Sequence, residues 1–244
     1  MGKIIAVVSG KGGTGKTSFT ANVGLALAAL GCHTLCLDCD ITLRNLDLAL
    51  GLSDRALMDF SDVIAGRCTL EDAVVQHPKY PKLHLLTAPL SARPVPIAPE
   101  QMKALLDRIR QTYDYCLIDA PAGLGMGFHL ASDYADRAVV VTNTDASSLR
   151  DAQRTVSVLR NRIPRIHLVV NRVQPRLLRR LHTTIDDAMD AAGLPLLGVV
   201  PEDRNVPYAL NTGIPLRECS NYAARAYENI ARRIMGQRIP LMRI

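Results

Sequence analysis

Tryptophan is absent, and aromatic residues make up only 4% of the chain. No stretch approaches the ~18 uninterrupted apolar residues of a membrane-spanning helix, which excludes a chain that crosses a bilayer. Met1-Gly2-Lys3 leads straight into Ile4-Ile5-Ala6-Val7-Val8, without the apolar core and cleavage site of a secretory signal. N-myristoylation is excluded as well, because position 6 is Ala6 where Ser or Thr is needed. Low-complexity linkers, internal repeats and composition breaks are also missing, so residues 1–244 read as a single domain with a cytoplasmic place. With 48% hydrophobic residues, a domain of 244 residues buries a sizeable core and needs no disulfides.

Acids are missing from Arg160 to His182, a block with seven arginines; from Arg225 to Ile244 five arginines accompany only Glu228. The two blocks carry +7 and +4 against a net charge of +6, so the rest of the chain is acidic. Such patches fit a polyanion, nucleic acid or an anionic membrane, and equally the solvated faces of ordinary helices. Six cysteines in this setting read as buried thiols. The spacing Cys36-Leu37-Asp38-Cys39 sends its two thiols to opposite faces of an apolar strand, against a redox or metal role.

Seven short β-branched runs recur: Ile4 to Val8, Thr34 to Leu37, Leu83 to Leu86, Tyr115 to Ile118, Ala138 to Val141, Ile166 to Val170 and Leu196 to Val200. Helical periodicity lies between them at Lys16 to Leu30, Pro99 to Thr112, Ala146 to Arg162, Leu178 to Ala192 and Asn221 to Met235, with Gly31 and Gly193 at helix ends. Continuous apolar strands alternating with helices predict an α/β fold, a mainly parallel doubly wound sheet covered on both faces. Ala88 to Pro99, rich in proline, reads as a surface loop.

Gly10-Lys11-Gly12-Gly13-Thr14-Gly15-Lys16-Thr17 fits G-x-x-x-x-G-K-[ST] between the first strand and the first helix. Glycines let successive N–H groups converge on a β-phosphate at a helix N-terminus, where the helix dipole favours an anion. Lys16 then neutralises β- and γ-oxygens, and Thr17 offers a hydroxyl to Mg²⁺. Ser18 follows in the same turn. A carboxylate for the metal is expected from Asp119, which ends an apolar strand; its other reading is a helix N-cap before Pro121. Asp38 and Asp40, two residues apart at the end of the second strand, are expected on one face toward the same crevice, one orienting water and one holding Mg²⁺ through water. Asn171 reads as a purine-edge contact or as a turn residue, and Pro201 with Glu202 as part of a base pocket.

These segments together resemble the MinD/ParA family of deviant Walker A P-loop ATPases, and its MinD branch in particular. The likeness rests on Lys11 ahead of Lys16, on Asp38 to Asp47, Asp119-Ala120-Pro121-Ala122-Gly123, Thr142-Asn143, Ser147 to Asp151, Val170-Asn171-Arg172 and Gly198 to Asp203, in order along nearly the whole chain. The resemblance implies a septum-site ATPase that dimerises around two ATP molecules, with Lys11 reaching the partner subunit's phosphates, Asp40 positioning the hydrolytic water and Asp38 near Mg²⁺. It further implies a MinC-like division inhibitor bound around Ser148, Arg150 and Asp151, a MinE-like regulator, and membrane contact through the C-terminal tail, residues 236–244. A ParA-like DNA-segregation ATPase and a flagellar-placement ATPase are the other readings within the family. The chain departs from the family pattern at Gly125, where Glu is usual, at Pro175 to Arg180, usually acidic, and in a tail without Phe or Trp that contains Pro240.

Overall fold

The computed structural model describes residues 1–53, 55–89 and 97–242. The strands are β1 (Lys3–Val8), β2 (Thr34–Asp38), β3 (Val75–Gln76), β4 (Leu83–Leu86), β5 (Tyr115–Asp119), β6 (Arg137–Thr142), β7 (Ile166–Val173) and β8 (Leu196–Pro201). The helices are α1 (Lys16–Ala29), α2 (Leu46–Ala49), α3 (Phe60–Ile64), α4 (Leu70–Ala73), α5 (Pro99–Thr112), α6 (Met126–Ser132), α7 (Ala146–Leu159), α8 (Pro175–Leu181), α9 (Ile185–Ala192), α10 (Asn205–Thr212) and α11 (Tyr222–Ile234).

The sheet runs β3-β4-β2-β5-β1-β6-β7-β8, parallel except at the edge, where β3 pairs antiparallel with β4. All seven expected strands form. The two-residue β3 escapes a periodicity reading because it is too short to have a period. On β1 the side chains alternate between two cores, Ile4, Ala6 and Val8 joining the α5, α6 and α7 side and Ile5 and Val7 the α1 and α11 side. That two-sided burial is why the strand is apolar throughout. The chain leaves β1 toward β2 on one side and crosses from β5 to β6 on the other, so the crevice at the C-terminal ends of β1 and β5 is the topological switch point.

One expected helix, Leu178 to Ala192, is two. His182 turns left-handed (φ 52°), and Thr184 and Asp187 form a reciprocal cap that starts α9 afresh. Of the six cysteines expected as buried thiols, Cys36, Cys39 and Cys116 are buried, while Cys32, Cys68 and Cys219 are only half-buried; Cys36 and Cys39 lie in clusters on opposite sides of β2. Most of the Ala88 to Pro99 loop, residues 90–96, lies outside the described residues, as do Arg243 and Ile244 of the tail. No helix among the described residues is long and apolar enough to cross a membrane.

Candidate functional site

The loop after β1 reverses through Gly13 (φ 79°) and Gly15 (φ 96°), a conformation that L side chains rarely adopt. A Cβ on Gly15 would also lie 2.2 Å from Asn171 Nδ2, and one on Gly10 2.5 Å from the carbonyl oxygen of Asp151. The loop is thus clamped between β7's end and the first turns of α7.

Lys16 is buried and its ammonium donates to Ser9 Oγ at 2.9 Å. Burial depresses its pKa, while the charges of Asp119 and Asp40 pull the other way. Thr17 Oγ1 donates to Asp119 Oδ2 at 2.6 Å, and Thr20 Oγ1 to Asp119 Oδ1 at 3.3 Å. Asp119 is 2% exposed and burial lifts its pKa to about 6, against the pull of Thr17 and Lys16. Thr17 and Asp119 offer hydroxyl and carboxylate oxygens, the hard donors that Mg²⁺ selects, and a buried carboxylate is best kept ionised by a cation. Among the described residues no three acids, histidines or cysteines gather as a metal cage, so such an ion would draw its remaining ligands from phosphate and water. Within those limits the residues fit Mg²⁺.

Asp40 borders the same cavity, about 340 Å³, with Gly12, Gly13, Gly15, Lys16, Thr17 and Asp119. Its Oδ1 accepts from the amides of Thr42 and Leu43, both at 3.1 Å, which leaves Oδ2 for the cavity. Asp38 differs from the expectation that both carboxylates look into one site. Strand β2 ends at Asp38, so the two-residue period does not carry to Asp40, which sits in a loop. Asp38 is fully buried beside Asp119 in the β2–β5 register and does not border the cavity. Its two oxygens accept from the amides of Asp40 (2.9 Å) and Leu46 (3.2 Å), so it shapes the loop that carries Asp40. Burial, then the neighbouring Asp119 charge, raise Asp38 to about 7. Arg44, at φ 37°, closes that loop by pairing with Asp47 at 3.1 Å, both side chains nearly buried.

A second cavity of about 680 Å³ continues from the first through Ser18, Arg172, Leu210 and Asn211, and is bordered by Asn171, Pro201 and Glu202. Asn171 spends one amide hydrogen on Thr14 O (2.8 Å) and accepts from the amide of Arg172 (3.0 Å), which leaves one donor and one lone pair for a base. Its brace to the loop was not legible in a sequence that separates the pair by 157 positions. A larger cavity, about 700 Å³ between α1 and α11, contains none of the glycine-loop residues.

Lys11 does not face its own cavity. Its ammonium donates to Ser147 Oγ (2.9 Å) and lies 3.7 Å from Asp145. Burial pulls Asp145 upward, but bonds from Ser147 and Ser148 and the Lys11 charge bring it down to about 2. Asp145 is the N-cap of α7, a role that Asp-x-x-Ser would signal. Ser148 must be corrected as an exposed partner contact: it is 3% exposed, with its hydroxyl and amide both bonded to Asp145. Arg150 is exposed and Asp151 half-buried near Arg154.

The family model for the CobQ/CobB/MinD/ParA nucleotide binding domain matches residues 5–216. The chain is 40% identical to the septum site-determining protein MinD of Synechocystis sp. over 246 aligned positions, covering 99% of this chain and 92% of that protein. It is similar to the MinC:MinD cell division protein complex of Aquifex aeolicus, with TM-score 0.92, 37% identity and 99% of both chains covered. The MinD of Pyrococcus horikoshii complexed with Mg-ADP superposes with TM-score 0.85 at 32% identity, 96% of each chain being covered.

Proposed function

The chain belongs to the CobQ/CobB/MinD/ParA nucleotide binding domain family, and from that premise we propose that it hydrolyses ATP to ADP and phosphate as an ATP-gated dimer switch in division-site placement. The observation that carries the reading is the meeting of Lys16, Thr17, Asp119 and Asp40 around one cavity at the end of β1. Loop amides and Lys16 hold the β- and γ-phosphates. Thr17 and Asp119 hold Mg²⁺, which when bound neutralises charge on the transferring phosphoryl group. Asp40, fixed by Asp38 and two loop amides, accepts a hydrogen bond from the attacking water through Oδ2. Asn171, Pro201 and Glu202 border the base, and Ser18 lies where the two cavities join.

Support for a dimer comes from Lys11. Its charge rests at the start of α7, away from its own cavity, and an intrasubunit role would duplicate Lys16. Lys11 therefore serves the partner subunit's phosphates. Arg150 and Asp151, one turn further along α7, are the partner-facing residues for a MinC-like inhibitor, and a MinE-like regulator stimulates hydrolysis. The tail, residues 236–244, supplies weak, ATP-dependent contact with an anionic membrane on the cytoplasmic side. The 40% identity with a septum-site protein favours this reading over the DNA-segregating one. Sizing chromatography with ATP and with ADP, together with phosphate release, tests it: a dimer with ATP and a monomer with ADP support the switch, and an unchanged monomer that releases no phosphate refutes it.

A further inference from the structure

Helix α8 is amphipathic yet contributes little to the core. None of its residues is fully buried, and of its leucines only Leu178 packs on the main cluster. Leu177 and Leu181, one turn apart, are 40% and 53% exposed, and Arg176, Arg179 and Arg180 are exposed beside them. At about 100° per residue the three leucines fall in one stripe and the three arginines on the other half of the helix. A helix that merely covered the end of β7 would have polar residues at 177 and 181.

Beneath α8 lies an apolar cavity of about 490 Å³, where Pro175 and Leu178 meet Ile185, Met189 and the tail residues Leu241 and Met242. Arg233 holds the tail there, donating to the carbonyls of Ile239 (3.0 Å) and Pro240 (2.7 Å) as well as Leu197 (2.8 Å). Leu241 is 51% exposed. The half-buried Leu178 of α8 and the exposed Leu241 of the tail therefore border one cavity, and Leu177 and Leu181 stand exposed on the same short helix. No acid occurs between Asp151 and Asp186; Asp186 borders the cavity, and Asp187 is tied to the Thr184 cap.

We propose that α8 is a second membrane-contacting element, laying Leu177 and Leu181 into the interface of an anionic bilayer while Arg176, Arg179 and Arg180 meet lipid phosphates beside the tail. The proposal rests on the reading that the tail works at a membrane. Charge alone would suit duplex DNA as well, but DNA offers the leucines nothing, whereas a bilayer interface takes both kinds of side chain.

The test uses the full chain with Mg-ATP and vesicles of phosphatidylglycerol and phosphatidylcholine at low salt. Leu177→Ser with Leu181→Ser, and Arg179→Ser with Arg180→Ser, are compared with the tail variant Leu241→Ser. Vesicle affinity is expected to fall about 5-fold per arginine removed and to fall with the leucine pair also, phosphate release without vesicles staying unchanged. Because the chain has no tryptophan, Leu181→Trp gives a single reporter whose emission shifts to the blue on anionic vesicles. If only Leu241→Ser weakens binding and the reporter does not shift, α8 has no membrane role and the tail reading survives. If the unaltered protein ignores vesicles, both readings fall. If the arginine pair instead abolishes a duplex-DNA gel shift while the leucine pair changes nothing, α8 is a nucleic-acid face and the proposal is overturned.

Discussion

Lys11 Nζ donates to Ser147 Oγ at 2.9 Å, tying the glycine loop to the first turn of α7 across 136 residues. The lysine is half exposed, 3.7 Å from Asp145, and does not border the glycine-loop cavity of its own subunit. One side chain thus links the nucleotide loop to the helix that carries Arg150 and Asp151.

For Lys11→Ala the account expects a protein that still binds ATP but elutes as a monomer with it, and releases phosphate at background rate. Sizing chromatography with Mg-ATP reads this. A variant that dimerises and turns over normally would reduce Lys11 to a loop residue.

Lys16→Ala removes a buried charge from the phosphates. Hydrogen bonds to charged groups contribute about 1.5–3 kcal/mol, so ATP affinity by calorimetry should fall ~10- to 100-fold, and hydrolysis should cease. Unchanged affinity would move the phosphate site elsewhere.

Asn171→Ala separates a brace from a base contact. Losing the amide leaves Thr14 O unpaired and loosens the loop, at a cost of about 1–3 kcal/mol. Affinity for inorganic tripolyphosphate and for ATP should therefore drop together. A loss confined to ATP would make Asn171 a base reader alone.

Asp38 gives a pH signature in the nucleotide-free protein. Its folded pKa, about 7, lies above the ordinary 3.8, so the folded state binds the extra proton. Its stabilising effect is complete below pH ~4 and is lost as pH rises through ~7. Urea melts from pH 4 to 8 should show wild-type stability declining more steeply than that of Asp38→Asn, and parallel profiles would refute the assignment.

The parts of this site that lie within one local stretch were legible in the sequence. The glycine loop, Lys16, Thr17 and the strand-ending Asp119 each follow from residues that are neighbours in the chain, and the structure brings them together. What could not be read were long-range contacts and interruptions of a period. Asp38 and Asp40 looked equivalent because a strand's alternation was extended past its last residue. Ser148 looked free because its cap, Asp145, was not recognised as one. The break at His182 between α8 and α9 was hidden by an unbroken apolar pattern, although Thr184-x-x-Asp187 marks a new helix start.

Asp40→Ala tests the ATP-gated dimer most directly, since it removes water positioning while sparing the phosphate contacts. Sedimentation velocity with Mg-ATP, alongside phosphate release, should show the variant accumulating as a stable dimer with turnover abolished, while the wild type cycles back to monomer as ATP is consumed. A variant that remains monomeric with ATP, or that hydrolyses at the wild-type rate, would contradict the account.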